Sequence, residues 1–307
     1  MRFSDYLIYE ALRENNRALH ALGRREPPSG KSILGDSLSD SAVAEMSAVV
    51  GRLDAYWQLL RDSVPAADRR AARHRLQRLQ RALACTWQRL TLASTVDLLA
   101  SNAPSRKSRQ AVQMLAEQLN VPGSDAVKLA VPRDLVARDF QEESLSWRTL
   151  DRDSIDPAVI LDQYRRSYRK GHRSGLQALD VQNERTLSRW RGWAGVSLEQ
   201  LELVRAALPE QCEQTRFYLE RLDESLTAHR DLMMVRAELL DTDLSDKQKN
   251  RVAPLVELRM RYSLERAAKL YPNCYRYAPK RYLATLERGL RDLDFVALVA
   301  ELQSKTA

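Results

Sequence analysis

Arginine dominates the residues of this sequence that could do chemistry. Residues 69–96 contain seven arginines and one histidine but no aspartate or glutamate, and residues 163–179 contain five arginines and lysines and again no acid. Residues 247–281 add ten basic residues against two glutamates. A guanidinium group offers forked donors that match phosphate oxygens, and it stays charged at any cellular pH. The three stretches therefore predict a site for a phosphate-rich polyanion, the alternative being solvated helix faces.

The spacing of these residues predicts which helix faces carry the charge. On a helix over 69–96, the apolar residues fall on one stripe. The opposite stripe carries Arg70, His74, Arg78, Arg81 and Arg89. Like charges one turn apart repel by roughly 0.2–0.5 kcal/mol per pair, so this face costs helix stability. In residues 163–179 the tyrosines fall on the expected core face, which favours phosphate contacts over stacking of bases.

Patterns for catalysis or metal binding are weak. Residues 30–32 (Gly-Lys-Ser) resemble the end of a phosphate-binding loop, but Arg25 stands where that loop needs a glycine. The four histidines lack ligand partners at metal spacing, and the three cysteines lie far apart. We expect no enzyme activity, no cofactor and no metal. For His229 two roles stay open, a phosphate donor or a polar contact between helices.

Composition bounds the fold class. The chain has 307 residues, of which 44% are hydrophobic and only 10 are glycine. That is enough apolar content for a core, which excludes global disorder, and too little glycine for a β-propeller or a Rossmann-type loop system. The formal net charge of +8 and the isoelectric point near 9.5 agree with a polyanionic partner.

Helical periodicity runs through nearly the whole chain, and the predicted fold class is all-α. We predict helices over 4–21, 39–63, 68–100, 105–119, 158–180, 183–208, 209–240 and 245–270, with a last one after Pro279. Residues 27–32 are interpreted as a linker, and the weakly periodic residues 132–156 as an inter-domain connection. The predicted domains are an N-terminal helix and linker (1–38), a first helical bundle (39–150) and a second helical bundle (151–307).

The sequence also shows no pattern typical of a secretory signal or a membrane span. The first residues lack the charged and apolar regions of a secretory signal, and no run approaches the roughly 18 apolar residues of a membrane span. We expect a cytoplasmic protein without membrane insertion.

Several segments of the second half resemble one family. They are residues 168–173 (YRKGHR), 185–191 (RTLSRWR), 201–204 (LELV), 226–232 (LTAHRDL) and 274–280 (CYRYAPK). Their order is similar to that of the CHAD family, the conserved-histidine α-helical domain. The resemblance covers about residues 39–290 and is weaker in the first half.

The resemblance implies two four-helix bundles around a basic cavity that binds inorganic polyphosphate, and association with polyphosphate granules. It implies phosphate-facing roles for Arg169, Lys170, Arg173, Arg191 and Arg230. The sequence departs from the family pattern at positions that carry histidine or basic residues there. These departures are Ser188, Gly192, Gly195, Ala44 and Gly51.

The function predicted from the sequence is non-catalytic binding of inorganic polyphosphate. A nucleic-acid-binding helical protein and an interaction scaffold that has lost polyphosphate binding are the alternatives, and a protein partner or a homo-oligomer stays open. The predicted polyphosphate-binding residues are Arg70, His74, Arg78, Arg81, Arg165, Arg166, Arg169, Lys170, His172, Arg173, Arg191, His229, Arg230, Arg259 and Lys280.

Overall fold

The computed structural model describes residues 3–23, 39–119 and 132–277, apart from residue 208, together with positions 282, 284, 286 and 287. In these residues the chain forms nine α-helices and one short 3-10 turn, and no strand. The helices are α1 (Phe3–Gly23), α2 (Asp40–Leu59), α3 (Ala66–Ser101), α4 (Arg106–Gln118), α5 (Arg133–Arg148), α6 (Pro157–Val181), α7 (Glu184–Ala207), α8 (Pro209–Asp241) and α9 (Asp246–Cys274). The predicted all-α class is confirmed. Among these helices, none combines the length and the apolarity that a membrane span requires.

Helix starts follow from capping residues in the sequence. The Ser39 side chain accepts a hydrogen bond from the Ala42 backbone N–H at 3.2 Å and so begins α2. Asp156 does the same for α6 through Ala158 at 2.8 Å, and Pro157 occupies the first helical position. The predicted linker at 27–32 lies outside the described residues, and so does most of the helix predicted after Pro279.

Helix α5 corrects one prediction. Residues 132–156 were expected to be a mixed connection, whereas Arg133–Arg148 is helical. Its buried residues include Val136, Phe140, Glu143 and Trp147, which follow one another at helical spacing. Glu143 breaks the apolar stripe because a carboxylate stands at a fully buried position. The helical pattern was therefore hidden by a charged core residue.

The helices pack as two groups. Helices α1, α2, α3 and α5 contact one another in a first bundle, so that α1 packs against α2 and α5. Helices α6, α7, α8 and α9 form the second, each packing against the next along the chain. The bundles meet where α2 contacts α6 and α7 and where α3 contacts α8, and α4 packs between α3 and α9. The domain boundaries predicted from the sequence stay a prediction.

Two apolar clusters hold these helices together. The larger cluster joins both bundles and includes Leu53, Leu76, Tyr164 and Trp190. The smaller cluster lies along the second half of α3, α4, the second half of α8 and the first half of α9, with Val112 and Val235 at its centre. The long helices α3, α8 and α9 thus run from one cluster to the other.

Candidate functional site

A cavity of about 590 Å³ opens between α2, α3 and α7, at the junction of the two bundles. Its described walls combine three cations, one carboxylate, two indole rings, three glutamines and Leu76. We call this cavity the basic cleft and define it by Arg61, Arg69, Arg73, Asp54, Trp57 and Trp193.

Helix α3 presents Arg69 and Arg73 to the basic cleft because both lie beside its apolar stripe. Leu76, which is buried and also lines the cleft, follows them by seven and three residues and so lies on the same side of the helix. Arg69 is half-buried and Arg73 is exposed at the rim, whereas the exposed Arg70 and His74, one position further round, are not part of the lining. A concave surface forms where two elements approach each other, so the positions that flank a buried stripe line it.

Lys170 of α6 adds a fourth positive charge beside the cleft. Its Nζ lies 4.1 Å from the centroid of the Trp193 ring, an arrangement that attracts a cation to the ring face. Burial lowers the pKa of Lys170, and the charges of Arg61 and Arg166 lower it further. Arg61, which follows α2, and Arg166 of α6 are therefore close enough to Lys170 to repel its charge.

The arginines of the basic cleft form no salt bridge with the described residues. Arg61, Arg69 and Arg73 differ in this from the half-buried Arg52, Arg75 and Arg216, which each pair with a glutamate. The Nε of Arg69 is buried and has no hydrogen-bond partner among the described residues. A buried donor left unpaired costs about 1–3 kcal/mol, so the cleft favours an anionic acceptor.

Asp54 is the carboxylate of the described lining. Its Oδ2 accepts a hydrogen bond from Gln58 Nε2 at 2.9 Å. Burial raises the pKa of Asp54, whereas this hydrogen bond and the charge of Arg73 oppose the rise. The cleft therefore holds one carboxylate that burial makes easier to protonate.

The indole of Trp57 is fixed from behind the cleft by α5. Glu143, which is fully buried, accepts hydrogen bonds from the Nε1 atoms of Trp57 and of Trp147, the latter at 2.9 Å. Its other oxygen accepts one from Arg75 Nε at 3.0 Å. Burial raises the pKa of Glu143 against these contacts. This carboxylate ties α2, α3 and α5 together.

Several predicted site residues are engaged by carboxylates instead. Arg78 pairs with Asp139 of α5 at 2.5 Å, and Arg165 pairs with Asp162. Arg166 bonds Asp62, just after α2, at 2.7 Å. An arginine whose charge is already compensated has less to gain from a phosphate than a free one. The polyphosphate roles of these residues stay predictions.

Arg191 and Arg230, on α7 and α8, face each other among acids. Burial lowers the pKa of Arg191 and the nearby Arg230 adds to this, while Asp223 and Asp231 oppose it. Arg230 pairs with Asp231 at 2.5 Å. Burial raises the pKa of both aspartates. The structure thus brings the two predicted arginines together, but in a cluster that contains as many acids as arginines.

The predicted histidines on α6 and α8 contact neighbouring helices. His229 is buried, and its Nδ1 lies 3.1 Å from the carbonyl oxygen of Met260 on α9. The His172 ring stacks on Tyr271, with 5.7 Å between centroids. Burial lowers the pKa of both histidines, and Arg173 lowers that of His172 further. At neutral pH both rings are therefore held uncharged.

The remaining predicted residues do not converge on the basic cleft. Arg70, His74, Arg81, Arg169 and Arg173 are exposed, Arg259 is half-buried, and Lys280 lies outside the described residues. From the predicted set the structure brings Lys170 to the cleft, with Arg166 close to it. A helical wheel could have placed Arg69 and Arg73 beside the core stripe. Arg61 follows the end of α2, where no periodicity points to it.

Metal chemistry receives no support from the described residues. They contain no group of three or more histidines, cysteines, aspartates or glutamates that could hold a metal ion.

Comparisons with known proteins identify few relatives. No family model matches the chain, and no curated protein matches it. Among solved structures, the chain is similar to "Crystal structure of the CHAD domain from the plant Ricinus communis". The identity is 16%, the match covers 96% of this chain and 93% of that chain, and the TM-score is 0.42. That is the family which the sequence motifs resemble. At this TM-score the two chains superpose only loosely.

Proposed function

We propose that this protein binds inorganic polyphosphate, without catalysis, in the basic cleft. The observation that carries the proposal is that Arg61, Arg69 and Arg73 line one concavity with no salt bridge among the described residues. Lys170 adds a fourth charge at its edge. The proposal includes a cytoplasmic location on polyphosphate granules.

The energetics favour a highly charged linear anion. A hydrogen bond to a charged group contributes about 1.5–3 kcal/mol, and the buried Nε–H of Arg69 has no acceptor in the part of the chain that the structure describes. Each phosphate contact also releases counter-ions, by analogy with nucleic acids, so affinity falls steeply with salt. A cavity of about 590 Å³ has the size of a small-molecule site, so the cleft holds a short length of chain.

Paired charge-matched variants test the site. We expect Arg69→Gln with Arg73→Gln to weaken polyphosphate binding at least about tenfold, because two charged contacts are lost. Arg70→Gln with Arg89→Gln removes the same charge from exposed positions of α3 outside the cleft, and we expect a change of about threefold or less. Titration by quenching of tryptophan fluorescence suits the measurement, because Trp57 and Trp193 line the cleft.

The same titration separates the alternatives. Equal losses in the two double variants would contradict the cleft and favour a diffuse basic surface. Displacement of bound polyphosphate by duplex DNA at equal phosphate concentration would favour a nucleic-acid-binding protein. Absence of polyphosphate binding at low salt would leave the scaffold alternative.

A further inference from the structure

A carboxylate is an unexpected component of a phosphate site. Asp54 of α2 lines the cleft together with Arg61, which follows the end of that helix, and it is the acid of the described lining. Asp54 stays available to a ligand in the cavity. Gln58 Nε2 donates a hydrogen bond to its Oδ2 at 2.9 Å, and Asp54 forms no salt bridge among the described residues. A phosphate that reaches Arg73 therefore meets the charge of Asp54 as well.

Two anionic oxygens that approach each other in a partly buried site repel, which raises the pKa of one of them and favours a proton shared between them. The proton then makes a hydrogen bond where repulsion would otherwise lie. A carboxylate beside a bound phosphate thus converts anion binding into binding of an anion and a proton.

We propose that Asp54 makes ligand binding in the basic cleft proton-linked, because a bound phosphate requires one proton between itself and this carboxylate. This inference rests on the proposed function. The inference makes Asp54 a specificity-determining residue. If the arginines alone bound the anion, binding would take up no proton at this carboxylate.

Other charged groups near Asp54 could also make binding depend on pH. Its own helix contributes Gln58, the turn after that helix contributes Arg61, and α3 contributes Arg69 and Arg73. The arginines stay protonated throughout the accessible pH range. From α7 the Trp193 ring faces the cleft, with Lys170 of α6 above it.

The direction of the linkage follows from burial. The pKa of free Asp54 is already raised by burial, and a bound phosphate raises it further. Between these two values the complex holds a proton that the free protein lacks, so binding takes up a proton and weakens as the pH rises. Between the two values the affinity falls by up to about tenfold per pH unit, and above the pKa of the complex it no longer depends on this group.

Calorimetric titration with sodium tripolyphosphate, in two buffers of different ionisation enthalpy between pH 5 and 7.5, counts the protons taken up. For the unaltered protein we expect about one proton beyond those carried by the ligand's own end groups. Asp54→Asn keeps the shape and an acceptor for Gln58. We expect it to lose that proton and to bind more tightly than the unaltered protein at pH 7.5. Asp139→Asn, on α5 outside the cleft, adds the same charge and should retain the proton uptake.

Three results overturn this inference and leave polyphosphate binding in place: no excess proton uptake by the unaltered protein, unchanged uptake in Asp54→Asn, or equal loss in Asp139→Asn. The first of these results is measured on the unaltered protein, so it tests the inference even if Asp54→Asn fails to fold. Absence of any binding heat and of tryptophan quenching in the unaltered protein would instead overturn the proposed function.

Discussion

Helix α3 carries arginines into two different environments. Toward α7, Arg69 and Arg73 line the basic cleft and form no salt bridge among the described residues. Toward α5, Arg75 pairs with Glu143 at 3.0 Å and Arg78 pairs with Asp139 at 2.5 Å. The same residue type thus binds the protein's own carboxylates on one side and remains open to an external anion on the other.

A count of arginines therefore does not locate a ligand site. Net charge counts all arginines equally, whereas an arginine held by a carboxylate has little attraction left for a phosphate. What distinguishes the cleft side is the neighbouring helix. Helix α5 supplies acids at positions that face α3, whereas α7 supplies Trp193.

We expect the largest change from a substitution in the buried pair of Arg75 on α3 and Glu143 on α5. We expect Glu143→Ala to lower the free energy of unfolding by about 3–5 kcal/mol, because it removes the carboxylate partner of Arg75 and the acceptor of two indole N–H groups in the core, and leaves Arg75 only its hydrogen bond to Ser146 Oγ. Urea denaturation followed by circular dichroism measures this. Glu142→Ala is the matched control, since the adjacent Glu142 is only partly buried and pairs with the exposed Arg138. We expect it to cost under about 1 kcal/mol. Equal costs would contradict the proposed difference between buried and exposed pairs.

The contact between α1, α2 and α7 provides a third environment, in which carboxylates surround an arginine. Arg52 pairs with Glu14 and lies 3.5 Å from Glu199. Burial raises the pKa of Glu199 to about 7, with Asp223 adding to the rise and Arg52 opposing it.

This raised pKa predicts how stability depends on pH. Between the unfolded value near 4.3 and about 7, the folded protein binds a proton at Glu199 that the unfolded chain lacks. Stability from this group is therefore present below that window and is lost as the pH rises through it. We expect Glu199→Gln to flatten the fall in melting temperature between pH 5 and 7.5. An unchanged slope would mean that Glu199 is ionised throughout the window.

Much of the helical order could be predicted from the sequence, because apolar spacing, capping residues and prolines are local signals. The apolar stripe of α3 is an example, since Ala72, Leu76, Leu79 and Leu83 are all buried. Helix α5 was missed for the opposite reason. Its stripe contains Glu143, and a buried carboxylate is interpretable only with its partners Arg75 and Trp57, which precede it by 68 and 86 residues.

The site was predicted less well than the fold, and for a physical reason. A helical wheel shows how far a residue lies from its own apolar stripe, but not which helix packs beside it. Arg70 and Arg78 both lie away from the stripe, yet only Arg78 has a salt bridge to α5 among the described residues. Lys170 was predicted, but its position over Trp193 depends on the packing of α6 against α7.

The variant for which we expect the smallest change tests whether an arginine that already pairs with a carboxylate contributes to polyphosphate binding. Arg78 is half-exposed, and its salt bridge to Asp139 is close to solvent. Such pairs contribute about 0–1 kcal/mol, so we expect Arg78→Ala to change the unfolding free energy by no more than this. Because Asp139 already compensates its charge, polyphosphate affinity should change less than about twofold, whereas Arg73→Ala, on the same helix but in the cleft, should weaken it at least about fivefold. A loss in Arg78→Ala as large as that in Arg73→Ala would show that polyphosphate displaces Asp139, and the binding surface would then extend around α3 to α5.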